Sequence, residues 1–178
     1  AERDKFAGTV LQSDYERFLA DALAVKGLKE TIIQEIRDGG KLNKQIVSYE
    51  TRSARLVDAN DEKLRIQLPR EGILAQPWSI IQPLDMDKIC RRILDEKNPR
   101  DLRLLGLYMF CMEYYPYARN AFEEAKQIDP LVDLEPWYSS LKKKLSGETD
   151  ETPAVAPKDA DVPAGFVRKR RSWKTDLE

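Results

Sequence analysis

The segment from Pro99 to Pro130, PRDLRLLGLYMFCMEYYPYARNAFEEAKQIDP, constrains this chain more than any other. Two runs with helical apolar spacing flank Tyr114-Tyr115-Pro116. Pro116 opposes the helical conformation at Tyr115 and is itself tolerated in a first helical turn, so the three residues predict a turn between two helices. Gly106 has no Cβ and lets a second helix approach the first closely. Ala118 and Ala125 lie on nearly one face of the second helix, with Phe122 between them to fill the space between helices. Pro130 ends that helix after Ile128-Asp129. The pattern predicts an antiparallel helix hairpin that buries one face and presents another.

The same residues resemble the tetratricopeptide repeat. Leu105-Gly106 stands at the repeat's Leu-Gly pair, and Ala118, Phe122, Ala125 and Pro130 at its small, aromatic, small and proline positions. Leu102 replaces the usual Trp and Met109 the usual aromatic; both are apolar, so the packing logic is kept. The resemblance covers residues 99–132, about a fifth of the chain. It implies a binding module and a groove lined mainly by the first helix, where Arg100, Arg103, Leu107 and Cys111 occupy the exposed positions. Such a mixed surface suits an acidic-hydrophobic peptide. Repeats that clamp a terminal carboxylate usually carry Asn where this chain has Leu107.

One repeat does not complete a core alone, because stacking on neighbours does that. The chain contains no second copy. Leu134–Leu145, with Trp137, Tyr138, Leu141 and Leu145 at helical spacing, reads as a capping helix, its Lys142, Lys143 and Lys144 near the C-terminus where cations are favoured. Leu84–Leu94 reads as a preceding helix with Asp85 as N-cap. Residues 84–146 are therefore expected to be repeat-like helices with a cap.

Residues 1–40 read as N-terminal helices. Ser13-Asp14-Tyr15-Glu16 fits a capping box, followed by a helix with Tyr15, Phe18, Leu19, Ala22 and Leu23 on one face and an end near Gly27. Leu28–Arg37 reads as a second helix, and Gly39-Gly40 breaks the chain. Over residues 41–83 the period changes. Gln45–Glu50, Ala54–Asp58 and Lys63–Leu68 read as strands, the last alternating strictly. Gly72–Ala75 and Trp78–Ile81 read as a fourth strand, interrupted or ended at Pro77. Short antiparallel strands with tight turns predict a small curled meander of SH3 or Tudor type. About 40 residues is small for an independent domain, so the sheet is expected to pack on the helices. Trp78, bracketed by Pro77 and Pro83, reads as a core anchor at that junction rather than an aromatic platform for a ligand.

The charge balance, 30 Lys+Arg against 31 Asp+Glu, makes the whole chain no strong electrostatic partner for nucleic acid. No apolar run approaches a membrane span. The chain begins with Ala1 rather than Met, which is compatible with a processed or exported fragment of a longer protein; its compartment is not specified. There is no His, the commonest general acid–base and the commonest zinc ligand. Cys90 and Cys111 fall on predicted helices among apolar neighbours and read as small hydrophobes, a bond between them remaining open. Asp58, Asn60, Asp61 and Glu62 superficially resemble a calcium loop, but the glycine and distal glutamate are misplaced, and a turn fits better. No Gly-rich phosphate loop, His-Arg-Asp or Asp-Phe-Gly is present. The expectation is a non-enzyme with no metal and no cofactor.

Residues 147–178 read as a disordered tail, rich in Pro, Ala, Asp, Glu and Thr up to Ala164. Within it Arg168, Lys169, Arg170, Arg171 and Trp173 form a basic cluster with an aromatic, suited to nucleic acid, an acidic protein surface or anionic lipid, or simply to water. The fold expected is α+β: a small antiparallel sheet packed with repeat-like hairpins, then the tail. The function expected is non-catalytic partner binding or scaffolding through the helices. Two alternatives are nucleic-acid binding through the sheet and basic tail, and a structural subunit that packs through an exposed Trp137-Tyr138 face. Oligomeric state is not predicted.

Overall fold

The computed structural model describes residues 10–146. Its elements follow in the order α1 (Val10–Arg37), β1 (Ile46–Tyr49), β2 (Arg52–Ala59), β3 (Lys63–Leu68), β4 (Gly72–Pro77), α2 (Pro83–Ile93), α3 (Pro99–Cys111), α4 (Tyr115–Ile128) and α5 (Trp137–Ser146). The class is α+β, as the change of period predicts. A single buried apolar cluster runs from the sheet through all five helices, so the sheet does not stand alone.

The strands pair antiparallel in the order β1-β2-β3-β4. Leu64, Ile66 and Leu68 of β3 are buried and the residues between them exposed, which makes the sheet one-sided. Leu56 and Ala59 both point inward although three apart, because a bulge between Leu56 and Asp58 absorbs the extra residue. The expected antiparallel meander forms. The sheet is an open meander in which β1 and β4 are both edges, since β4 stops at Pro77 and turns into a 3-10 segment, Trp78–Ile80, instead of continuing as a strand.

The two N-terminal helices are one. α1 runs 28 residues, starts upstream of Ser13, and passes through Gly27 without a break. A helix-interior glycine costs only about 1 kcal/mol, and anchoring beyond it offsets that: Leu28, Ile32, Ile33 and Ile36 bury themselves against the sheet, where α1 packs on β2. Ser13 lies within the helix and caps nothing; Glu16 instead accepts from Gln12 Nε2 at 2.9 Å.

Trp78 is the predicted anchor. It is buried, its Nε1 donates to the Asn60 carbonyl at 2.8 Å, and Lys29 lies over its ring. Asp85 does not cap α2. Gln82 holds that position, and Asp85, buried in the first turn, accepts from the Ser48 amide at 2.6 Å, tying edge strand β1 to α2. Asn60 closes the β2–β3 turn by accepting from the amides of Glu62 and Lys63 at 3.0 and 2.7 Å, as a turn rather than a cation loop.

Candidate functional site

The α3–α4 hairpin forms where its prolines and small residues predict. Asn98 caps α3 by accepting from the Arg100 amide at 3.0 Å, and Pro99 takes the first helical position. The turn spans Met112–Tyr114, two residues earlier at each end than Tyr114-Tyr115-Pro116 suggests, with Glu113 in the left-handed region (φ 62°). Pro116 sits inside the first turn of α4. A Cβ on Gly106 would overlap the Phe122 ring, so the glycine is what lets α3 and α4 approach. Ala118, Ala121, Phe122 and Ala125 are buried along the facing side of α4.

The four predicted groove residues do not share an open surface. Arg100 and Cys111 are exposed at opposite ends of α3. Leu107 is only 1% exposed and lines no groove. Arg103 is committed: its Nη1 and Nη2 donate to Asp21 of α1 at 2.7 and 2.9 Å, and its Nε donates to the Asp133 carbonyl at 2.6 Å. Leu107 lies one turn from Arg103 on the same side of α3. The physical reason for the correction is therefore α1, which crosses α3 on the face that the repeat pattern would leave to a ligand.

Asp21 is the hub of that crossing. Besides the Arg103 fork it accepts from Trp137 Nε1 at 2.7 Å, so α1, α3 and α5 meet on one carboxylate. Phe18 and Phe110 stack edge-on against Trp137 at 5.3 and 5.5 Å. Trp137 and Tyr138 thus form no free face: Tyr138 meets Phe122 edge-on, and Lys126 and Lys142 cover its ring. A buried pair of this kind adds little net stability over an apolar one, because desolvation offsets the attraction, whereas loss of one partner leaves a stranded charge. The hub fixes where the helices cross. The sequence carried a signal for it: Asp21 is a carboxylate seven and eleven residues before Leu28 and Ile32, on the face that those residues bury.

Arg91 makes a second tie. It donates two parallel hydrogen bonds to Glu124 of α4 at 2.8 and 3.0 Å and one to Asp87 at 2.9 Å. Burial raises the Asp87 carboxyl above its usual range although Arg91 pulls the other way, and the Glu124 contact holds Arg91 firmly charged. Both cysteines are free; Cys90 is fully buried. Burial pushes both thiols up, Cys90 the more strongly, with the Asp87 charge adding to it. Cys111 is exposed by surface area yet still partly shielded at sulfur, and neither is an activated thiolate.

While the hairpin side of α3 is covered, the N-terminal half of α1 leaves apolar residues in water. Tyr15, Leu19 and Leu23, each one turn from the next, are 57%, 38% and 59% exposed. They share one face as their spacing predicts, but Asp21 turns its own side of α1 to α3 and leaves these three on the outer flank. The basic cluster Arg168, Lys169, Arg170, Arg171 and Trp173 lies outside the described residues, as does the whole expected tail. Among the described residues no group of His, Cys, Asp and Glu has the arrangement of a metal site, and no helix is long and apolar enough to cross a membrane. The chain matches no protein-family model, and no curated protein or solved structure is significantly similar to it.

Proposed function

We propose that the chain is a non-catalytic interaction module that holds a protein partner through its helical layer, with α3–α4 acting as a single tetratricopeptide-like unit. The close Gly106–Phe122 approach and the buried alanines of α4 support the repeat-like reading. Because α1 lies over α3, the partner surface is the outer flank of α1 and not the inner side of the hairpin. One observation carries this: Tyr15, Leu19 and Leu23 form an apolar line on a helix whose position is fixed from both ends, by Asp21 on α3 and by Leu28–Ile36 on the sheet. A contiguous apolar line held rigidly in water is the mark of a contact surface. Its shape suits the apolar face of an amphipathic helix from a partner protein, packed at i, i+4 spacing.

The test is photo-crosslinking from a probe at Ala22, comparing the wild-type chain with Y15E/L19E/L23E in extracts of the source cell. The wild type should yield a discrete adduct that the triple variant, with an unchanged circular dichroism spectrum, does not. The same adduct from both would remove α1 as the contact surface.

A further inference from the structure

The open face of the sheet carries a second surface, on the far side of β2 and β3 from α1. A shallow groove of about 430 Å³ is lined there by Ile46, Ser53, Arg55, Gln67, Pro69 and Arg70, among others. The strand register places Ile46, Arg55, Gln67 and Ile73 directly abreast on β1 to β4. Three gaps of about 4.8 Å make that row roughly 14 Å long, the reach of four or five extended residues. Its two ends are aliphatic, and Ile46 and Ile73 are each 59% exposed.

The charge of this groove is uncompensated. Neither Arg55 nor Arg70 has a side-chain hydrogen bond or ion pair among the described residues, and no carboxylate lines the groove. The sheet does have carboxylates, but they are engaged: Glu50 and Glu71 both pair with Arg52, and Asp58 with Arg37 and Arg65. Arg70 also holds a left-handed backbone (φ 72°) in the β3–β4 turn, a conformation that Gly or Asn takes at lower cost. With no partner for its side chain among the described residues, its guanidinium is available to a ligand. Two free guanidiniums select carboxylates by paired hydrogen bonds. The lining residues include no aromatic ring on which a base could stack, which favours a peptide over a single-stranded nucleic acid.

We propose that this groove binds a short extended acidic segment of a partner protein, its carboxylates on Arg55 and Arg70 and an aliphatic side chain against Ile46. The surface is distinct from the flank of α1 and stands whether or not that flank binds anything.

The probe is a fluorescein-labelled Leu-Gly-Asp-Gly-Asp peptide, whose extended form puts the leucine and both carboxylates on one face, followed by anisotropy with the full chain. Saturable binding is expected, weakened about tenfold or more by R55E/R70E and partly retained by R55K/R70K, which keeps charge without the planar fork. Y15E/L19E/L23E should leave it unchanged, which separates this site from the helical one. Equal binding of the Leu-Gly-Asn-Gly-Asn twin, indifference to R55E/R70E, or tighter binding of a labelled oligothymidylate would overturn the proposal. So would binding that appears only after Glu148, Asp150, Glu151, Asp159 and Asp161 are neutralised, because the occupant would then be the chain's own acidic segment.

Discussion

The two halves of α1 are held by different physics. From Leu28 to Ile36 the helix lies on the sheet through aliphatic side chains, with polar contacts only at its margins, such as Lys29 Nζ to the Asp61 carbonyl at 2.6 Å and Arg37 with Asp58 at 3.4 Å. From Tyr15 to Leu23 it meets α3 and α5 through one buried carboxylate and an aromatic cluster, while Tyr15, Leu19 and Leu23 remain in water and Phe18 is only partly covered by Trp137. Aliphatic burial is non-directional and scales with area, so it stabilises but tolerates small shifts. A forked ion pair with an indole donor is directional: it adds little net free energy and selects one crossing. One continuous helix therefore takes its anchorage from one end and its alignment from the other.

The largest effect is expected where the anchorage is aliphatic. Ile32→Ala, at a fully buried position, should cost about 4 kcal/mol by denaturant titration, with sheet and helices lost in one transition. Separate transitions would mean that the sheet is stable without α1.

The alignment end should respond differently to single and paired changes. Asp21→Ala strands the Arg103 guanidinium and should cost roughly 3 kcal/mol, whereas Asp21→Ala with Arg103→Met should recover most of that loss. The double variant should nevertheless lose the Phe18–Trp137 nuclear Overhauser contacts if the pair sets the crossing. Retention of those contacts would assign the alignment to the aromatic cluster alone.

The smallest effect sharpens the contrast between polar and apolar ties at the α2–α4 contact. Burial raises Asp87 in the folded state, so that state binds its proton at higher pH than the unfolded chain does. The resulting contribution is fully present below the unfolded-state value and is lost as pH rises through the folded one. Wild type should therefore gain stability relative to D87N as pH falls through this window, in paired thermal melts. A gain in the opposite direction would show that the Arg91 contact outweighs desolvation.

Much of this was legible beforehand. The alternation of Lys63–Leu68 marked β3 at its observed bounds, and the small residues of α4 with Gly106 marked the hairpin. These signals are local: a period of two or three to four residues, or a missing Cβ, means the same wherever the segment ends up. The misread elements share one cause. Gly27 looked like a stop because its helical cost is local while the burial that offsets it lies on β2. Asp85 looked like a cap because its partner, the Ser48 amide, is distant in sequence. Arg103 looked open because its partner, Asp21 of α1, comes from the other end of the chain, and Leu107, one turn away, is buried too. Trp78–Ile81 looked like more of the fourth strand, but residues 78–80 form a 3-10 turn whose Trp78 ring is buried against the fold.

By itself, the sequence determined the element types, the one-sided sheet, the hairpin, and the absence of histidine chemistry. Only the tertiary structure decided which faces remain available. It closed the inner side of the hairpin with Asp21, folded Trp137 and Tyr138 inward, and left Tyr15, Leu19 and Leu23 on one surface and Arg55 and Arg70 on another. Exposure is a property of the whole packing. A side chain's neighbours along the chain bias its backbone, but whether water or a distant helix covers it depends on contacts that no local pattern encodes.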